Sequence, residues 1–82
     1  MYEKKNWTML FTQEKYDAVL KKIASIRNSK GITQSEMGER MGLSQSAYLK
    51  IEKGHSKLEI QRLLTILYKL DISPKEFFED FK

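Results

Sequence analysis

Three observations predict an all-α domain of five helices. Apolar residues recur at three- and four-residue steps, and no stretch after residue 12 keeps the alternation of a strand. Ser or Thr stands ahead of four helical segments and Gly follows three of them, which is the start and stop chemistry of helices. The chain has 82 residues, no Cys and one Pro, so it holds one small core without disulfides or thiolate metal sites to replace it.

The first helix is expected from Gln13 to about Asn28, with Thr12 as its N-cap and Tyr16, Leu20, Ile23 and Ile26 or Arg27 along one face. Lys30-Gly31 ends it. Thr33-Gln34-Ser35-Glu36 then has the spacing of a capping box, in which hydroxyl and carboxylate reciprocally satisfy backbone N–H groups, and opens a short helix over about Gln34 to Met41. Gly42 stops that helix, Ser44 caps the next from Gln45 to about Lys53, and Gly54 closes it. A fourth helix from about Ile60 to Leu70 places Ile60, Leu63, Leu64, Leu67 and Leu70 on its inner face. Ser73-Pro74-Lys75-Glu76 opens the fifth, with Pro at the first helical position, where its missing N–H costs nothing. Phe77, Phe78 and Phe81 supply aromatic core or spill onto a partner.

Residues 1–12 form an N-terminal extension set apart from the domain at 13–82. Trp7, Met9, Leu10 and Phe11 make it too apolar for an idle tail, yet it is too short and uncapped for a defined element. A strand, a flap over the first helix and a dimer contact all fit. Packing is the expected role of Trp7, Met9 and Phe11, fraying that of Lys4 and Lys5, and a solvated helix face that of Lys21-Lys22.

The formal net charge is +4, from 15 Lys and Arg against 11 Asp and Glu. Met1 to Lys57 carries 11 basic and 6 acidic residues, whereas Leu58 to Lys82 carries 4 and 5. Clustered positive charge suits a polyanion, whose phosphates reward Lys and Arg by releasing counterions. A single His cannot build an imidazole cluster, and no nucleophile–base pair, phosphate loop or metal cluster is visible. The expectation is a non-enzyme without cofactor or metal. With no apolar run of roughly 18 residues and no secretory h-region at the start, the chain is expected to be cytoplasmic and without membrane contact.

The stretch from Ile32 to Gly54 carries the function. It holds two short helices a three-residue turn apart. Gly38 in mid-helix costs about 1 kcal/mol against Ala, so its smallness serves a close approach of the second and third helices. Gly42 supplies the positive φ that a tight turn needs. Leu43, Tyr48 and Ile51 point inward while Gln45, Ser46, Leu49 and Lys50 face out. This is the logic of a helix-turn-helix over about 34–52, whose second helix enters the major groove.

At these residues the chain closely resembles the lambda-repressor-like (Cro/CI, XRE-type) helix-turn-helix family. The resemblance runs from about Ile26 to Phe78 and includes Arg27, Lys30-Gly31-Ile32-Thr33-Gln34, Glu36-Met37-Gly38, Met41-Gly42-Leu43-Ser44, Ile51-Glu52-Lys53-Gly54, and Leu70-Asp71-Ile72-Ser73 into Glu76-Phe77-Phe78. Gly38 stands where Ala is usual, Tyr48 where an aliphatic is usual, and Leu58 where Pro often sits. The resemblance implies a five-helix DNA-binding domain, usually dimeric on a pseudo-palindromic operator. It implies that Gln34 reaches a phosphate and that Gln45, Ser46 and Lys50 face bases, with Ala47 and Leu49 offering apolar contact. It also implies an Arg27–Glu52 ion pair linking the first helix to the end of the third.

Side-chain chemistry agrees. Gln pairs bidentately with adenine, Lys donates to guanine O6 and N7, Ser reads either, and an aliphatic group touches a thymine methyl. Ser44 at the third helix's start, with Lys53, His55 and Lys57, suits phosphates that fix register without reading sequence. Tyr68, Phe78 and Phe81 are candidate dimer contacts. The expected protein is a transcriptional repressor of prokaryotic, phage or plasmid type, binding double-stranded operator DNA as a homodimer. It is expected to lack a small-molecule ligand and a sensing domain. The alternative is a protein-interaction module, such as an antitoxin, with DNA secondary and the apolar N-terminal dozen residues holding the protein partner.

Overall fold

The computed structural model describes the backbone of residues 2–81 and the side chains of residues 7–81. Its elements are α1 (Tyr2–Ser29), α2 (Gln34–Met41), α3 (Gln45–Glu52), α4 (Ile60–Lys69) and α5 (Pro74–Phe78), with no strand among the described residues. The side chains of Lys4 and Lys5 lie outside the described residues.

The N-terminal extension is neither strand nor flap, because α1 is one helix of 28 residues that begins at Tyr2. Thr12 is not its N-cap. Its hydroxyl donates back to the carbonyls of Thr8 and Met9, as Ser and Thr do inside helices. A Thr caps only where the chain before it leaves the helix, and Glu, Lys, Met and Leu upstream are good helix formers. At 1.5 Å per residue α1 is about 42 Å long, so its first third overhangs the domain. Trp7, Met9 and Phe11, expected to pack, are exposed on that overhang, as is Leu10.

The core forms where α2 packs on α3, α3 on α1, α2 on α4 and α4 on α5. Leu20 and Ile23 from α1, Met37 from α2, Tyr48 and Ile51 from α3, and Phe77 from α5 are buried in it. Burying one such side chain stabilises the fold by about 1.5–3 kcal/mol. From α4 the buried residues are Leu63, Ile66 and Leu67, followed by Leu70. Ile60 and Leu64, expected inside, face out, and Ile66 takes the inner position instead. The helix is apolar around more than half its circumference, so its neighbours choose which stripe is covered.

The aromatic cluster divides in the same way. Phe77 is fully buried, Phe81 half-buried and Phe78 exposed, with Phe77 edge-on to Phe78 and stacked on Phe81. Lys22 is not a solvated residue. Its ammonium donates to the Phe77 carbonyl and to Asp80 and lies over the Phe77 and Phe81 rings, clamping α5 to α1. At the end of α4, Asp71 takes the left-handed conformation, φ 58°, usual for Gly, while its N–H and that of Ile72 close the helix onto Tyr68 and Leu67.

Candidate nucleic-acid interface

The turn between α2 and α3 is set by local chemistry. Thr33 Oγ1 accepts the Glu36 N–H at 3.0 Å and starts α2. Only this half of the expected capping box forms, and the Glu36 carboxylate instead lies 3.9 Å from Arg40. At the other end Gly42, φ 70°, donates to Glu39 while Leu43 donates to Gly38, a Schellman closure that reverses the chain in three residues. A Cβ on Gly38 would sit 3.0 Å from the Leu43 carbonyl oxygen and 3.1 Å from that of Ser44. The small residue therefore lets the turn fold against α2. Ser44 Oγ then accepts the Ala47 N–H at 3.0 Å and opens α3.

The far end of α3 is held by one carboxylate. Glu52 accepts Arg27 Nε at 2.6 Å and Nη2 at 3.1 Å, the Tyr48 hydroxyl at 2.5 Å and Gln34 Nε2 at 3.4 Å. Arg27 also donates to the Ile32 carbonyl at 2.7 Å. Three helices thus meet at Glu52, and α3 is fixed in angle before it meets any ligand. Burial pushes the Glu52 carboxyl upward, but hydrogen bonds from Arg27 and Tyr48 and the guanidinium charge outweigh it and leave the pKa below the ordinary carboxylate value. The hydrogen bond to Glu52 raises Arg27 against its own desolvation. Burial, then the bond to Glu52, raises Tyr48.

With Tyr48 and Ile51 buried, the outer face of α3 presents Gln45, Ser46 and Lys50 to solvent, with Ala47 and Leu49 half-exposed between them. A depression of about 550 Å³ on one flank brings Gln34 beside Gln45. On the other flank a cleft of about 400 Å³ is lined by Ser44, Ser46, Lys50, Ser56 and Lys57. Lys53 and His55 are exposed just past α3, and the His55 backbone N–H returns to the Lys50 carbonyl. A family model for helix-turn-helix domains, of the XRE, lambda-repressor-like kind, matches residues 23–77. The chain belongs to that family. No curated protein and no solved structure matches it.

Members of the helix-turn-helix family are DNA-binding transcription regulators, typically without enzymatic activity. In this helix-turn-helix protein the match spans α2, α3 and α4 with the end of α1 and most of α5. No helix of the described residues is long and apolar enough to cross a membrane, and no described cluster could hold a metal ion.

The structure adds Arg62 to the site. It lies at the start of α4, ten residues beyond the end of α3, in a segment that reads as core-forming, yet it lines the same cleft as Lys50 and Lys57. Lys50, Lys53, Lys57 and Arg62 make no ion pair or side-chain hydrogen bond among the described residues. Three other cations of the domain are engaged, Lys22 by Asp80, Arg27 by Glu52 and Arg40 by Glu36, whereas Lys21, Lys30 and Lys75, away from this cleft, are among the described residues as free as the four beside α3. Only the spacing of Arg62 from the loop lysines signals its role in sequence, and the α3–α4 angle that brings it round is a tertiary fact.

Proposed function

We propose that the protein is a homodimeric, sequence-specific repressor that reads the major groove of a pseudo-palindromic operator with α3 and acts by occupying promoter DNA. One observation carries the reading: four unpaired cations, Lys50 on the exposed polar face of α3, Lys57 and Arg62 along one flank and Lys53 just past its end, gather on a helix that is locked at its far end. Gln45, Ser46 and Lys50 read base edges, and Ala47 and Leu49 touch thymine methyls. Gln34, Ser44, Lys53, His55 and Lys57, joined by Arg62, hold phosphates on either side and set the register. Because Glu52 fixes α3 beforehand, little ordering free energy is lost on docking. Three phosphate-directed cations per protomer, Lys53, Lys57 and Arg62, make six per dimer, so log K should fall against log salt with a slope of about −5. Tyr68 and Phe78 lie exposed and Phe81 half-buried on the α4–α5 side, where a second copy would associate.

Selection of bound sites from random duplexes tests DNA binding, symmetry and spacing together. Two half-sites about 34 Å apart, centre to centre, are expected; recovery of no enriched sequence refutes the reading. The exposed Trp7, Leu10 and Phe11 favour a second reading, a protein-interaction module with DNA secondary. Removing residues 1–11 separates the two, since a module loses its protein partner while operator affinity persists.

A further inference from the structure

Among the described residues, α1 and α4 each leave an apolar patch uncovered. On α1, Trp7 (73% exposed), Leu10 and Phe11 fall, at 3.6 residues per turn, roughly opposite the Leu20 and Ile23 stripe that seats the helix on the domain. The protomer's own body therefore cannot reach them while α1 stays straight. On α4, Ile60, Leu64 and Tyr68 (80% exposed) recur four residues apart as a single ridge beside the buried stripe.

We propose that each protomer lays its α1 overhang on the α4 ridge of a second copy and receives the partner's overhang on its own ridge. Area decides for the exchange. Each patch offers about 400 Å² of exposed surface, so either patch paired with its own symmetry mate buries about 800–900 Å² in total, short of the roughly 1,200 Å² of a stable interface. A reciprocal exchange covers both patches with one partner and buries about 1,700 Å², the size of a stable dimer. Charge is compatible with it. Lys15 lies over the Phe11 ring and brings a positive group with the overhang, while the groove beside Leu64 and Tyr68 is lined by two carboxylates, Asp71 and Glu76, against the single Lys69 that lies over the Tyr68 ring. The exchange rests on the homodimer reading, keeps Tyr68 in the contact and leaves Phe78 and Phe81 outside it.

Sedimentation of the full chain without DNA tests the exchange. The wild type is expected to be a dimer, and Phe11→Glu and Leu64→Glu are each expected to be monomers with unchanged helical circular dichroism. Ile60→Glu, at a more exposed position of the same ridge, replaces Leu64→Glu if that variant loses helicity. Mixing the overhang variant with the ridge variant restores one of the two contacts intact, so the mixture should associate at least tenfold more tightly than either variant alone. A like-on-like contact would gain nothing from mixing. A mixture that associates no more tightly than either variant alone, or a dimer insensitive to both substitutions, overturns the exchange and leaves the homodimer standing. A monomeric wild type overturns both; whether α3 binds DNA at all is measured separately.

Discussion

Replacing Arg27 by Met strips the buried Glu52 carboxylate of its counter-charge while keeping much of the side-chain volume. Arg27 is 6% exposed and supplies two of the four hydrogen bonds that Glu52 accepts, as well as the one to the Ile32 carbonyl. Breaking a buried ion pair from one side costs about 3–5 kcal/mol. Tyr48 and Gln34 remain as donors, which places the expected loss near the lower end, about 3 kcal/mol. A domain of this size is stable by about 4–12 kcal/mol, so the variant should remain folded but melt at least 12 °C lower. Urea titrations followed by circular dichroism at pH 7 and pH 3.5 measure the difference. In the wild type the Glu52 pKa is lowered, so its contribution is complete above the unfolded carboxyl pKa of about 4.3 and is lost as pH falls through the folded value. In the variant burial stands unopposed by the guanidinium, the carboxyl pKa rises, and protonation relieves the buried charge. The destabilisation should therefore be largest at pH 7 and shrink at pH 3.5. A loss below 1 kcal/mol, or one that does not change with pH, would refute the account of Glu52 as the charge that ties three helices together.

Tyr48→Phe keeps the ring in the core and removes one donor to Glu52, so stability should fall by about 1.5–3 kcal/mol, read as a lower urea midpoint with an unchanged slope. Lys50→Ala should cost roughly 1–3 kcal/mol per half-site and relax preference at one position of each half-site, whereas Lys57→Ala and Arg62→Ala, each removing two cations from the dimer, should weaken all duplexes alike and flatten the salt slope by about 2; filter binding on matched and mutated sites distinguishes them. Equal, sequence-blind effects of all three would place the recognition face wrongly. Asp71→Asn keeps a residue that tolerates the left-handed conformation at φ 58° and removes a negative charge from the C-terminus of α4, so it should stabilise the protein by about 0.3–1 kcal/mol, seen as a higher melting temperature.

Much of this architecture is legible in the chain itself. Ser44, Ser73 and Gly42 mark where helices start and stop because a cap acts within four residues of its own position. The same signal misleads at Thr12, where a cap-forming residue sits inside a helix. Gly38 reads as a close approach, and the Leu43 and Ser44 carbonyls are what it approaches. The choice between the two apolar stripes of α4 is not legible, since Ile60 and Leu64 are as apolar as Leu63 and Ile66.

What the sequence by itself determines is therefore local: helix boundaries, the tight α2–α3 turn and the residue types of the outward face of α3, each set by interactions within a few residues. What only the tertiary structure decides is which of two plausible surfaces is covered and which charges find partners. Arg62 joins Lys50 and Lys57 at one cleft, Lys22 leaves solvent to hold α5, and Trp7 and Tyr68 stay outside. Burial and ion pairing depend on groups distant in the chain, and the helix period that positions a side chain on its own helix carries no information about which neighbour comes to meet it.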